Sequence, residues 1–266
     1  MARSLSAKMY RHDGDIMAWR VSLPDSLQLI TELNGEYFME KMIYFLTRKP
    51  DQSQADFSSW LLGALVTDLR GNGAHSVTIQ VADLNETLAQ EAPGRLIGPF
   101  EAVSAVVSFW HASLDQRAPL EAVLAKGSTS ITGYLVTESI VQPFDPSWED
   151  GKRRPGVTQV GANGKPPNVS DEEFYHNWQV VHSTSSFDLH PLRWSYVRNA
   201  VARPLTPNAP AYRAIVMEHF RELEDFTDDT RYFGSDEAVA AMMEEVPGFC
   251  DFENMFSVGM SEYYFR

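Results

Sequence analysis

The sequence predicts an α+β protein: two tandem ferredoxin-like (β-α-β-β-α-β) units forming a pseudo-dimeric α+β barrel. Three observations carry this reading. The same order of strand-like and helix-like segments occurs twice along the chain. A stretch rich in proline, glycine and charge lies between the two occurrences. The composition, 44% hydrophobic and 22% charged over 266 residues, is that of a globular chain long enough for both units.

Residues 1–40 belong to neither unit and read as an N-terminal arm, with a short helix from Pro24 to Leu33 stopped by Asn34-Gly35. The first unit, 41–144, opens on KMIYFLTRKP (41–50), a strand-like run ending in Lys-Pro. A polar stretch and a helix carrying Phe57 and Trp60 follow. HSVTIQV (75–81) and AVSAVVSFW (102–110) supply two strands, residues around 117–125 a second helix, and ITGYLVTESIV (131–141) the closing strand. PFDPSWEDGKRRPG spans 143–156, and 145–156 is the linker. The second unit, 157–266, repeats the order with VTQVGANGKP (157–166) and a helix carrying Phe174 and Trp178. RWSYVRN (193–199), AIVMEHF (214–220), a helix around 235–246 and ENMFSVGMSEYYF (253–265) complete it. The offset is 116 from Lys49 to Lys165, 118 from Trp60 to Trp178, and 111 from Phe109 to Phe220. The drop fits a longer loop in the first unit, LNETLAQEAPGRLIGP (84–99). One such unit covers only one face of its sheet with helices, so its bare face must find a second sheet. Two units can close a barrel within one chain or pair between chains, and a homodimer is therefore a candidate assembly.

Charge and motifs narrow the function. With 22 basic against 36 acidic residues the net charge is −14, which repels phosphate backbones and argues against a nucleic-acid partner. No run approaches the roughly 18 apolar residues of a membrane span, and the basic start lacks the apolar stretch of a secretory signal. Cys250 is the only cysteine, so no intramolecular disulfide or Cys-rich metal site can form, which fits a cytoplasmic location. There is no G-x-S-x-G, no H-E-x-x-H and no phosphate-binding glycine loop. EDFTDDT (224–230) lacks EF-hand spacing, and His176 and His182, six apart, do not share a helix face. No metal site is expected; a small molecule is the expected partner.

The second unit holds the candidate chemistry. Ser170 with Glu173 forms a capping box that starts a helix. Phe174, Trp178 and His182 follow at i, i+4 and i+8, with Val181 completing the apolar face. A histidine on such a face can be a general acid or base. Four residues after Trp60 the first unit carries Ala64, so packing alone does not demand an imidazole there. On AIVMEHF, alternation groups Ile215, Met217 and His219 on one face and Val216, Glu218 and Phe220 on the other. On RWSYVRN it groups Trp194, Tyr196 and Arg198 against Ser195, Val197 and Asn199. His190, before Pro191, reads as a surface loop residue.

SDEEFYHNWQVVH, HPLRWSYVRN and YRAIVMEHFREL together resemble the EthD-domain family of dimeric α+β barrels over residues 155–266. Trp178 and His182 match its Trp-x-x-x-His helix; Leu192, Arg193, Tyr196, Val197 and Asn199 match its next strand; Phe220 ends the third. The chain departs from the pattern where Met217 stands for a glutamate and His219 for an aromatic residue. The resemblance implies a lyase or isomerase without an organic cofactor, acting by dehydration, cyclisation or isomerisation on a hydrophobic oxygenated small molecule. In that reading His182 and His219 are catalytic, and Trp178, Trp194, Tyr196, Arg198, Asn199 and Tyr212 bind substrate. The alternatives are a haem-binding barrel enzyme with a histidine axial ligand, a cofactorless monooxygenase, and a non-catalytic small-molecule-binding protein.

Overall fold

A computed structural model describes residues 39–143 and 147–266, together with the backbone of two N-terminal strands. Those strands, β1 (Ser6–Arg11) and β2 (Met17–Ser22), pair antiparallel in a unit of their own. The helix expected from Pro24 to Leu33 lies outside the described residues.

Residues from Glu40 onward form an eight-stranded closed barrel with helices outside it. The strands are β3 (Glu40–Thr47), β4 (His75–Val81), β5 (Ala105–His111), β6 (Ser130–Gln142), β7 (Val157–Gly164), β8 (Arg193–Pro204), β9 (Ala214–Phe220) and β10 (Asp251–Phe265). Every pair is antiparallel, in the order β10-β4-β5-β3-β6-β8-β9-β7 and back to β10. Each half therefore runs fourth, first, third, second strand across its sheet: β6-β3-β5-β4 and β10-β7-β9-β8. Pairing of β6 with β8 and of β10 with β4 closes the barrel. Closure uses strands of one chain only, so no second copy is needed to remove the sheet edges.

The helix α1 begins as Gln54–Trp60, widens into a π-helical turn over Leu61–Leu65 and ends as Val66–Gly71. Short α2 (Asn85–Glu91) sits in the long 84–99 connection, and α3 (Ala118–Gly127) precedes β6. The helix α4 repeats the build of α1: Asp171–His176, a π-helical turn over Asn177–His182, then Ser183–Leu189. Short α5 (Glu224–Thr227) and α6 (Asp229–Phe233) lead into α7 (Asp236–Glu245). No helix among the described residues is long and apolar enough to cross a membrane.

The start of α4 follows from its cap. Ser170 Oγ accepts from the Glu173 amide and Glu173 returns a carboxylate to the Ser170 amide, a pair worth about 1 kcal/mol. Phe174, Trp178 and His182 then turn inward together, while Val181, expected on the same face, is exposed. The π turn is the cause. Its wider i→i+5 winding advances less per residue, which rotates Val181 outward and keeps His182 in line. In α1 the buried series is Phe57, Leu61 and Leu65, with the same spacing of four, and Ala64 is exposed. The counterpart of His182 is therefore Leu65, one residue later than sequence comparison places it. Where the first half packs a leucine, the second half presents an imidazole.

The segment read as a linker packs on the barrel in its described part. Arg153 bridges to Tyr263, and the Arg154 amide donates to the Glu262 carbonyl at 2.8 Å.

Candidate active site

Alternation along β9 separates two environments. Ile215, Met217 and His219 face the barrel lumen, and Val216, Glu218 and Phe220 face the helices. On the helix side lies a cavity of about 630 Å³. Its floor is β7, β8, β9 and β10, and its walls are the π turn of α4, α7 and the 84–99 connection. That connection reaches across from the first half. Ile97 exchanges backbone hydrogen bonds with Ser257 of β10, at 2.9 and 3.1 Å. Gly98 makes the approach possible: at φ +69° a Cβ there would sit 2.0 Å from the Met255 carbonyl oxygen.

His182 opens into this cavity. Its Nδ1 lies 3.1 Å from Glu245 Oε2 of α7, which also accepts from Ser185 Oγ at 2.7 Å. A carboxylate only accepts, so Nδ1 carries the proton and Nε2 is the basic nitrogen. Burial lowers the His182 pKa below the ordinary histidine value, against the upward pull of the Glu245 hydrogen bond and the Glu218 charge. The ring is neutral at pH 7. Phe249 packs on it with centroids 4.6 Å apart.

Beneath it Glu218 pairs with Arg193 at 2.6 Å, and Arg193 also donates to Ser186 Oγ at 3.1 Å and Gln142 Oε1 at 3.2 Å. Burial disfavours the Glu218 charge, but the Arg193 guanidinium beside it holds its carboxyl below the usual carboxylate range. His190, read from sequence as a surface residue, is buried in the same cavity. Its Nδ1 donates to the Tyr232 carbonyl at 3.1 Å, and the ring packs against Tyr232 with centroids 4.5 Å apart. Arg95, from the connection, stacks over the Tyr232 ring at 3.8 Å and pairs with Asp229 at 2.8 Å. Trp178 and Tyr196 complete the lining, both almost wholly buried, and burial raises the Tyr196 pKa. Arg198 stands behind Trp178, donating to the Gln179 carbonyl at 3.0 Å and bonded to Ser183 Oγ.

The other sequence candidates lie elsewhere. Trp194 leaves the face of Tyr196 because the β8–β9 register slips between Arg193 and Ser195, leaving Trp194 as the extra residue of a bulge. It turns toward His219, centroids 5.8 Å apart, and Arg221 stacks on it at 3.9 Å. Asn199 is buried between β6 and β9, donating to the Ile215 carbonyl at 3.3 Å. Tyr212 joins Phe45 and Tyr134 in an aromatic plug at one end of the lumen.

His219 sits on the lumen side, across the sheet from His182. Its Nε2 donates to the Pro155 carbonyl at 2.8 Å and its Nδ1 accepts from Thr158 Oγ1 at 2.8 Å, so both nitrogens are engaged. Burial pushes its pKa down to about 4, with Arg154 and Arg153 acting the same way against Glu262. A histidine with a depressed folded pKa contributes stability above its unfolded value near 6.5, lost as pH falls toward the folded one. His219 is thus expected to cost roughly 3 kcal/mol of stability between pH 6.5 and 4. Urea unfolding at both pH values checks this: His219→Gln should flatten the acid loss by that amount.

No cluster of metal-ligating side chains occurs among the described residues. The cavity meets only part of what haem requires. His182 would supply the axial nitrogen, oriented by Glu245 as metal-bound imidazoles are. The rest of the lining does not fit. Haem carboxylates need cations, whereas the lining carries Glu91, Glu218 and Asp229 against one arginine, Arg95, already held by Asp229.

No known family's sequence profile matches the chain, and no curated protein matches it in sequence. Solved structures do. An anthrone oxidase-like protein superimposes with a TM-score of 0.53 at 11% identity, over 86% of this chain and 94% of that one. A Fusobacterium nucleatum subsp. nucleatum protein, provisionally assigned as a monooxygenase, gives 0.51 at 8% identity over 86% and 93%. A chlorite dismutase variant from Candidatus Nitrospira defluvii gives 0.47 at 13% identity over 87% and 94%. The first two likenesses show the fold, an α+β barrel, and the fold alone.

Proposed function

We propose that the chain is an enzyme that moves a proton on a hydrophobic, oxygenated small molecule without an organic cofactor, as a lyase or isomerase. One observation carries this: a neutral imidazole, fixed by Glu245 through Nδ1 with Nε2 left as its basic nitrogen, lines a large and mainly apolar cavity. In this reading His182 Nε2 takes a proton from carbon or oxygen, and Glu245 steadies the imidazolium that forms. Tyr196, on the same lining, would turn its phenol proton to an enolate oxygen and steady it. The Arg193–Glu218 pair supplies a fixed floor, and Phe249 part of the apolar wall.

The same reading takes the chain as two diverged ferredoxin-like units, the second keeping the site. The repeated strand order and the two π turns support it. Kinship with the EthD family belongs to this reading too, supported by Trp178, His182, Arg193 and Tyr196 lying around one cavity. The carbanion formed in such a cavity can be quenched by a proton or by dioxygen, and a cofactorless monooxygenase is the second reading.

The probes are anthrone and an unsaturated γ-lactone, both with acidic C–H bonds. In anaerobic deuterium oxide the protein should catalyse exchange at those carbons. Oxygen uptake in air without added cofactor would move the chain to the second reading. Saturable binding with neither exchange nor uptake would make it a binding protein. A Soret band on adding haem would show that the lining accepts haem after all.

A further inference from the structure

The barrel lumen holds a second cavity, of about 320 Å³, on the opposite side of the sheet from His182. We propose that it is a separate small-molecule site, taking a neutral, hydroxylated aromatic ring. Three features of the lining lead there.

The first is charge. The ionic groups facing the cavity are already matched. Lys41 bonds to Glu138. Arg154 bonds to Glu262, which also accepts from Gln80 Nε2 at 2.9 Å. His219 has both nitrogens engaged. At the rim Arg266 pairs with Asp150, and Glu149 and Lys152 are exposed. A charged ligand would bring an uncompensated charge among these pairs, so a neutral one is selected.

The second is an unmet acceptor. Gln80 is completely buried, and its bond to Glu262 fixes the amide orientation. Its Oε1 is left with no hydrogen-bond partner among the described residues. A buried carbonyl in this state destabilises the fold until a donor reaches it. A phenolic hydroxyl is such a donor, and the buried hydroxyls of Ser108 and Ser195 lie on the same lining for a second one.

The third is shape and surface. Met217, Val197 and Ile140 offer an apolar bed, and Trp110 and Tyr264 aromatic walls. A single ring with one or two hydroxyls matches the volume, and its flat faces match these side chains. The sheet itself keeps the two sites apart: adjacent residues Met217 and Glu218 face different cavities.

The test uses the full chain with 13C-methyl methionine, its Met217 signal assigned through Met217→Leu. Resorcinol should shift the Met217 methyl saturably, and benzoate, the same ring with a charge, should bind at least tenfold more weakly. Gln80→Met should weaken resorcinol at least tenfold, and Ser195→Phe should abolish the shift. His182→Ala should leave the Met217 titration unchanged. An unmoved Met217 signal, equal binding of benzoate, or a resorcinol response confined to Met242 of the helix-side cavity would each overturn the proposal.

Discussion

Replacing Arg193 with methionine is expected to cost about 3–5 kcal/mol of unfolding free energy. The Arg193 side chain is wholly buried, and it satisfies Glu218, Ser186 and Gln142 from one guanidinium. Methionine fills similar volume, so the loss is not chiefly a cavity effect. What remains is a carboxyl on β9 with no counter-cation, in a place where burial opposes its charge. In the wild type the Glu218 pKa is depressed, so the pair contributes stability above the unfolded carboxylate value and loses it as pH falls. In Arg193→Met the sign reverses: burial raises the Glu218 pKa, the folded state holds the extra proton, and stability falls as pH rises. The gap between variant and wild type should therefore be widest at pH 8 and narrow toward pH 5. Urea unfolding at the two pH values measures it. Adding Glu218→Leu should recover much of the loss, because the uncompensated charge goes with it. A variant equally stable with wild type at pH 8 would show that Glu218 is not held as a charge.

The strands were legible because their patterns are local. β4 and β9 fall on the runs read from sequence at 75–81 and 214–220, and the inward set of β9 follows simple alternation. The repeated order of segments left closure open between one chain and two, and only the pairing of β6 with β8 and of β10 with β4 places it within one chain. What the sequence did not show were departures of a single residue. The bulge at Trp194 carries no compositional mark, yet it reverses the parity that had grouped Trp194 with Tyr196. The π turn likewise needs no unusual residue, and it moves the partner of His182 from Ala64 to Leu65 and turns Val181 outward. Contacts between residues distant in sequence were also illegible. His190 precedes a proline, which reads as a loop, but Tyr232 and Phe233, some forty residues on, bury it. Arg95 lies in a connection whose length was visible and whose destination, the cavity of the other half, was not. Glu218 was placed on the correct face, but its pairing with Arg193 needed the register of β8 against β9.

Replacing His182 with alanine is expected to lower kcat by roughly 10²–10⁴ on any substrate the protein turns over, the usual contribution of a general acid or base. Its cost in stability should be modest, about 1–2 kcal/mol, since the side chain makes one hydrogen bond, to Glu245, at the edge of a cavity that is already open. Leu65 at the matching place in the first half shows that the fold tolerates an apolar residue there. The decisive companion is Glu245→Gln. Glutamine can still accept from Nδ1, so the ring stays oriented, but the Glu245 charge, which with Glu218 raises the imidazole pKa, is gone. The acid limb of the kcat/KM profile, which follows His182 in the free enzyme, should then move to lower pH, with a plateau reduced about tenfold as the imidazolium loses its support. A packing role for His182 would move neither the limb nor the plateau in this variant. Turnover retained in His182→Ala, or an acid limb unmoved in Glu245→Gln, would exclude His182 as the base and leave His190, whose Nε2 makes no hydrogen bond among the described residues, as the remaining imidazole in the cavity.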